Sequence, residues 1–490
     1  MESVEHGIGE KEKGTTGYVE HLSTKSSKSA KGIGDVAAQD WTPEEERKIV
    51  WKIDFRVFPM LCVVFGLSLL DRSNISAAFI ANMSVDLELV GNRYNIALLV
   101  FFIGYGLFEL PSNYVIRRVG ARWWLSFLIV SWGACVLGMG FVTHWSILTV
   151  LRAFLGVFEA GLFPGAVYII GSWYRRFETA RRISIFYMAS LLASGFGPIF
   201  AYVLSLIRVG DGLYAQGWRW IFIVEGIATV VAGLISPMFL IEFPEKVKFL
   251  TERQKYIALK RVKEETQSVE ILHPSAKETL RMVLDWKILL YGFMYFIQAS
   301  SVYSLAFFAP IILRQGLGFE YAKAQLLSSP PYVFTIFGSI AGAYVSDKIK
   351  MRWPIMTFQS IIGIVGLLVV LYARPPGARY FGLFLATYGT QGNIPATLTL
   401  GQDNCSRMEK KGITAAVMIT MGAAGGVCGS TIFRPQDSPD YLIGMWTTIS
   451  LQFTYILITL VLVAFFKMQN RKADRDGKIL EKVPGFRFVA

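Results

Sequence analysis

The sequence predicts an all-α integral membrane protein of twelve transmembrane helices in two six-helix bundles. Three observations carry that expectation. The chain is 53% apolar and only 17% charged, whereas soluble chains run at roughly 45–50% apolar, glycine included, and about 25% charged. Apolar runs of about 20 residues, the length that crosses a bilayer as a helix, recur in two groups of six. The 49 Lys and Arg concentrate in both terminal segments, the central segment and alternate loops. That distribution is what the positive-inside rule asks of a multi-pass chain with both termini cytoplasmic. The net charge of +13 therefore calls for no nucleic acid, which gives basic residues no reason to alternate between loops. The expected partners are a lipid bilayer and a small molecule, with the chain acting as a monomer.

In chain order, residues 1–41 are rich in Gly, Ser, Lys and Glu and are expected to be a disordered cytoplasmic tail with no signal peptide. Thr42-Pro43-Glu44-Glu45 reads as a helix start: an N-cap, Pro at the first position and acids in the first turn. An amphipathic stretch then leads through Trp51 and Phe55 into the first span. The first half, 42–242, holds spans at 57–80, 95–115, 123–141, 146–171, 183–207 and 218–241. A polar cytoplasmic loop, 243–287, separates it from the second half, 288–466, with spans at 288–312, 325–346, 354–373, 380–400, 412–433 and 443–466. Residues 467–490 form a cytoplasmic C-terminal tail.

The halves carry an internal repeat. Tyr114 to Trp123, after the second span, and Tyr344 to Trp353, after the eighth, share Tyr, Val, a basic residue, a branched apolar residue, Arg and Trp in register. Two six-span halves related as parallel repeats are a transporter architecture. Enzymatic and metal chemistry find no support. The four Cys (Cys62, Cys135, Cys405, Cys428) are sparse and scattered. His6, His21, His144 and His273 lie outside the apolar runs and away from the cysteines. No metal site and no cofactor are expected, protons being the coupling ion.

A charge at a helix centre costs on the order of 2.5–3.5 kcal/mol by insertion scales, so it is retained with a partner or a use. The deep charges are Asp71, Arg72, Arg152 and Glu159, all in the first half. Glu109, Glu225 and Glu242 lie nearer span ends; Glu109 and Glu225 read as structural, with proton coupling as the alternative. Arg152 and Glu159 are seven apart, two turns on one helix face and about 10 Å along the axis, so both can point into one cavity. Arg matches a carboxylate bidentately, and Glu159 can take and release a proton. An interhelical ion pair locking spans 1 and 4 remains the alternative. In the second half, Gln298 and Tyr303 in span 7, and Tyr388, Gln391 and Asn393 in a span 10 broken by Gly389, Gly392 and Pro395, are candidates for hydrogen bonding and stacking on a ligand. Their alternative is polar contact between helices. Gly422, Gly425, Gly426 and Gly429 at helical spacing mean close helix packing.

Taken in order, Leu70-Asp71-Arg72-Ser73-Asn74, Glu109-Leu-Pro111-Ser112-Asn113, Arg152-x-x-x-Gly156-x-x-Glu159-Ala-Gly161-x-x-Pro164-Gly165, Gly217 to Gly226, Phe243-Pro244-Glu245-Lys246, Pro330-Pro331-Tyr332 and Phe433-Arg434 make the chain resemble the major facilitator superfamily. Over roughly 42–470 it is similar to the superfamily's anion:cation symporter family, and within that to the fungal allantoate permease group, which includes nicotinic acid permeases. One departure is Arg117, where the superfamily's loop motif has an acid; Asp347 holds that place in the second copy. The resemblance implies substrate roles for Arg72 and Arg152 and proton roles for Asp71 and Glu159. The function expected is import of a small organic anion, nicotinate-like or another vitamin carboxylate, by proton symport through alternating access in a fungal plasma membrane. Proton binding at Glu159 or Asp71 would release Arg152 or Arg72 to the substrate carboxylate. An exporter of a carboxylated secondary metabolite or toxin, and a nutrient sensor, are the alternatives.

Overall fold

The structure, a computed structural model, describes residues 41–490 apart from 175, 245–246, 248, 268–275, 407, 478, 482–485 and 490. Certain side chains inside helices also lie outside the description, Arg117 and Asp347 among them. Residues 1–40 of the expected N-terminal tail, and the Arg117 and Asp347 side chains of the paired loop motif, therefore fall outside the described residues. What is described is helix, turn and irregular connection, with no strand among the described residues.

The first helix, α1, runs Pro43–Ala78. It starts where the sequence reading puts it, through a reciprocal capping box. The Glu45 backbone N–H donates to Thr42 Oγ1 at 3.2 Å, and the Thr42 N–H donates back to Glu45 Oε2 at 3.4 Å, satisfying donors that a helix start leaves open. The rest of the first half comprises α2 (Arg93–Val119), α3 (Ala121–Met139), α4 (Trp145–Glu159), α5 (Leu162–Trp173), α6 (Arg176–Ser205) and α7 (Gly217–Phe239). Two shorter polar helices, α8 (Glu252–Gln267) and α9 (Ala276–Val283), occupy the central segment. The second half comprises α10 (Trp286–Ile311), α11 (Tyr321–Ser328), α12 (Pro330–Ile349), α13 (Trp353–Tyr372), α14 (Pro376–Gln391), α15 (Asn393–Asp403), α16 (Met408–Ile432) and α17 (Leu442–Asp476).

Among the described residues, nine helical stretches are long and apolar enough to cross a membrane. The other expected spans are occupied by α2, which carries Glu109 and Arg118, by the Arg-rich α6, and by the α14–α15 pair. The last is interrupted at Gly392, as the Gly and Pro content of that span predicts. The fourth span is likewise divided, at Ala160–Gly161, directly after Glu159.

Packing within the first half pairs α3 with α7 and α2 with α4; within the second it pairs α10 with α16 and α13 with α14. Small residues let these backbones approach. A Cβ on Gly156 would overlap the Phe101 carbonyl of α2, and one on Gly425 would reach the Phe296 carbonyl of α10. The halves meet along α2 against α16 and α6 against α11 and α12. Several hydrogen bonds across this seam lie at the end of the bundle opposite the central segment. Asn95 donates to the Ser430 and Phe433 carbonyls at 2.6 and 2.7 Å. Gln325 donates to the Ala77 carbonyl at 3.2 Å, Tyr321 to Ser205 Oγ at 2.7 Å and Gln436 to Asn92 Oδ1 at 3.0 Å.

At the central-segment end, the last residues fold back on the second half. Phe488 stacks on Phe466 at 4.7 Å, and the Val489 N–H donates to Asn404 Oδ1 at 2.8 Å. Glu481 pairs with Lys287 and, at 2.7 Å, with Lys410, which also binds Asp285 at 2.7 Å. Burial alone would raise both carboxyls, yet the lysines outweigh it and hold Asp285 and Glu481 below their usual ranges. Carboxyls with depressed values stabilise the docked tail above their ordinary values, about 4, and that contribution is lost as pH falls through the lowered ones.

Acidification below pH ~4 is therefore expected to release the C-terminal segment, and Glu481→Gln to loosen it at neutral pH. Protease cleavage of residues 477–490 in solubilised protein reads both; a segment equally protected in all three conditions would exclude the ionic clamp. Gly156→Val is expected to abolish a monodisperse size-exclusion peak, because backbone at the α2–α4 contact cannot yield to a side chain.

Candidate functional site

Between the halves lies a cavity of ≈ 1190 Å³ of empty space, its mouth included. Its wall draws on α1, α2, α5 and α6 from the first half and on α10, α12, α14, α15 and α16 from the second. It sits on the central-segment side of the sealed seam, since its α1 lining (Phe65, Leu69, Arg72, Ser73) precedes Ala77 on that helix.

Arg72 supplies the cavity's fixed charge. Its guanidinium pairs with Glu159, which also accepts from Ser68 at 2.6 Å. A second arm donates to Tyr303 Oη at 2.8 Å, across the seam between halves. The flat face lies 5.0 Å from the Phe101 ring centre and 5.3 Å from that of Tyr105, positions where a ring's negative face attracts a cation. Arg72 lines the cavity, whereas Glu159 sits behind it at 1% exposure, with Oε2 unpaired among the described residues. The site thus presents a positive charge to the cavity and keeps the countercharge sealed.

Around that charge the wall is aromatic. Tyr105, Tyr187, Tyr295, Tyr303 and Tyr332 bring hydroxyls, and Phe65, Phe102, Phe163 and Phe307 bring apolar faces. Gln391 adds an amide. Such a pocket, mostly apolar with a few convergent polar groups, has the anatomy of a small-molecule site.

The match to known proteins covers most of the chain. The model of the Major Facilitator Superfamily matches residues 61–430. The chain belongs to the Major Facilitator Superfamily. It is a secondary transporter, and its named relatives are transporters rather than enzymes. "MFS transporter prlL" of a fungal species (strain NRRL 50135) is 31% identical over 465 residues, covering 92% of this chain and 93% of that one. The "High-affinity nicotinic acid transporter" of Saccharomyces cerevisiae is 28% identical, covering 90% and 82%. Among solved structures, a bacterial homologue of the human lysosomal transporter Spinster, inward-facing and unoccupied, superposes with a TM-score of 0.64. The two are 15% identical, with 89% of this chain and 99% of that one covered. A D-xylose–proton symporter gives 0.60 at 14% identity, covering 81% and 96%. The two structures share the fold.

Within this major facilitator, the expected site residues separate into two groups. Arg72, Tyr303 and Gln391 face the cavity. Arg152 does not line it. It is 1% exposed, lies over Phe101 and donates to the Arg72 carbonyl at 3.5 Å. The partner of Glu159 is thus Arg72 and not Arg152. Asp71, next to Arg72, points the other way and accepts from Trp132 of α3 and Thr229 of α7, both at 3.2 Å. Gln298 is absorbed by Gln452, at 3.4 Å. Asn393 donates to Ser360, to the Met356 carbonyl and to the Gly389 carbonyl, and Tyr388 lies against Gln359. These three hold helices of the second half together, the alternative that the sequence left open. The tyrosines at 105, 187, 295 and 332 were missed because an aromatic at helical spacing reads as ordinary core.

The two members of the central pair should respond unequally to removal. Arg72→Met strands a sealed carboxylate, a loss that reaches about 3–5 kcal/mol in buried pairs. Glu159→Gln leaves an arginine that the cavity can hydrate. Thermal unfolding in detergent should show a larger fall for Arg72→Met; equal falls would mean that Arg72 is no more open to water than Glu159.

Proposed function

We propose that the protein imports a small aromatic monocarboxylate, nicotinate-like in size, by proton symport through alternating access. The observation that carries this reading is the Arg72–Glu159 pair, cation towards the cavity and carboxylate behind it. A substrate carboxylate entering the cavity competes with Glu159 for the same guanidinium. Two anions on one cation in a low-dielectric site repel, so a proton on Glu159 favours substrate on Arg72. When the proton leaves, the carboxylate reclaims Arg72 and expels the substrate. Binding and protonation are thereby linked in both directions, as coupling requires.

The aromatic wall supports a ring-bearing substrate, since ring faces stack or meet edge to face, and the tyrosines and Gln391 supply hydrogen bonds to ring heteroatoms. The relative named as a nicotinic acid transporter and the anion:cation symporter resemblance agree with that choice. Alternating access has its physical basis in the seam: a few hydrogen bonds close the end opposite the central segment, a set small enough to exchange for contacts at the other end. Placement in the plasma membrane, with both termini cytoplasmic, completes the proposal.

In proteoliposomes, labelled nicotinate is expected to accumulate when the outside is acidic and to leak away with a protonophore. Accumulation indifferent to both would overturn the symport reading. Efflux from acid-loaded vesicles without uptake in whole cells would favour an exporter.

Glu159→Gln separates coupling from architecture. Gln resembles protonated Glu and cannot release a proton. The variant is expected to retain exchange of labelled against unlabelled nicotinate while losing pH-driven accumulation. Loss of both in a well-folded protein would show that Glu159 is needed for binding rather than coupling; retention of both would remove it from the mechanism.

A further inference from the structure

The four glycines of α16 face two different surroundings. Gly425 and Gly429, one turn apart, turn to the backbone of α10: a Cβ on Gly425 would meet the Phe296 carbonyl, and one on Gly429 the Ser300 carbonyl. Gly422 and Gly426, also one turn apart, turn to rings of the cavity wall. A Cβ on Gly422 would stand 2.6 Å from Tyr295 Cε1 of α10, and one on Gly426 would overlap the Phe102 ring of α2. Both rings line the cavity, and so does Gly422 itself. Each ring therefore lies back against bare backbone. A methyl group at either glycine would drive the ring away from α16, and the space that yields is the cavity that a ligand needs. Helical spacing makes all four glycines read as packing; the two faces separate only once α2 and α10 pack on α16.

The two recesses lie at different depths. Arg72 marks the deep one. It is 8% exposed, and its Nε has no hydrogen-bond partner among the described residues. Its guanidinium donates to Tyr303, and Phe102 meets Tyr303 edge to face at 4.7 Å. Gly426 thus seats a ring at the level of the carboxylate anchor. Tyr295 lies two turns before Tyr303 on α10, roughly 12 Å along a helix that rises 1.5 Å per residue. Because α10 starts at the central segment, that displacement is towards the mouth. A ligand with its carboxylate on Arg72 reaches Tyr295 only with its far end. A single-ring acid is shorter than that separation; a second ring opposite the carboxylate extends into the space that Gly422 leaves. Gly422 and Tyr295 belong to the same half, so this recess needs no contact across the seam.

We propose that Gly422 determines specificity for the part of the substrate remote from its carboxylate. By letting Tyr295 lie back, it extends the class accepted from single-ring acids to planar aromatic monocarboxylates with a second ring. Gly422 acts through Tyr295 and is a positioning residue. The proposal rests on the reading above, in which Arg72 holds an aromatic monocarboxylate.

Equilibrium binding of labelled nicotinate and of labelled 2-naphthoate to the full-length protein in detergent tests it. Wild type is expected to bind both. One methyl group in an apolar pocket shifts discrimination by roughly 10–200-fold, so Gly422→Ala is expected to weaken 2-naphthoate at least about tenfold more than nicotinate. In a Tyr295→Ala background the same change is expected to lose that discrimination, because the ring that it displaces is gone. A disturbed α10–α16 contact would instead weaken both acids in both backgrounds. Equal losses for the two acids, or a selective loss that persists without the Tyr295 ring, overturn the proposal. So does a wild type that binds nicotinate and not 2-naphthoate, a result that leaves the nicotinate reading intact. If Gly422→Ala does not fold, Tyr295→Trp fills the same space from the other side and should discriminate against 2-naphthoate in the same way. A wild type that binds neither acid removes the aromatic-carboxylate reading and the proposal with it. Selective loss without pH-driven uptake in liposomes removes symport and leaves the role of Gly422 standing.

Discussion

The buried guanidinium of Arg72 constrains the rest of the molecule. A permanent cation inside a membrane bundle must be neutralised, and Glu159, reached across the α1–α4 contact, does so. The same stretch of α4 packs closely on α2. Gly156, whose Cβ would overlap the Phe101 carbonyl, brings α4 close to α2, and the same Phe101 ring lies beneath both Arg72 and Arg152. The helix break at Ala160–Gly161 follows directly and separates the charged part of the fourth span from its apolar continuation. Packing, charge balance and cavity lining thus converge on one turn of α1.

The halves divide the chemistry unevenly. The first contributes all the deep charge; the second contributes aromatic and amide groups, and most of its buried amides serve its own helices. Gln452 donates to both Gln298 and Ser301, and Asn393 gathers Ser360 with two backbone carbonyls. In a medium without water an unsatisfied amide is costly, so a polar side chain in a span is consumed by its nearest neighbours unless it borders a cavity. Tyr303 escapes because it stands at the seam, where its hydroxyl meets Arg72 of the other half.

The two ends of the bundle are held differently. Opposite the central segment, single hydrogen bonds, two of them to α16 and its C-terminal edge, join the halves. At the central-segment end, the terminal residues brace the second half alone, through Phe488 on Phe466 and the cluster of two lysines and two acids.

The helical fold was legible because hydrophobic length and alternate-loop charge are properties of the chain taken one segment at a time. The start at Thr42, the interruption at Gly392 and the glycine stripe of α16 were legible for the same reason: each is a local demand of the backbone. The cost of burying Asp71, Arg72, Arg152 and Glu159 also marked them out before any packing was known. What the sequence did not determine was which charge meets which. Arg152 and Glu159 share a helix and a spacing, yet Glu159 belongs to Arg72, and Asp71, adjacent to Arg72, turns away towards α3 and α7. Successive residues on a helix point about 100° apart, so neighbours in sequence part company once helices pack. The cavity tyrosines were hidden for the converse reason: an aromatic facing a void and one facing a neighbouring helix have the same sequence pattern, and only the tertiary structure, by leaving space between the halves, assigns them to the site.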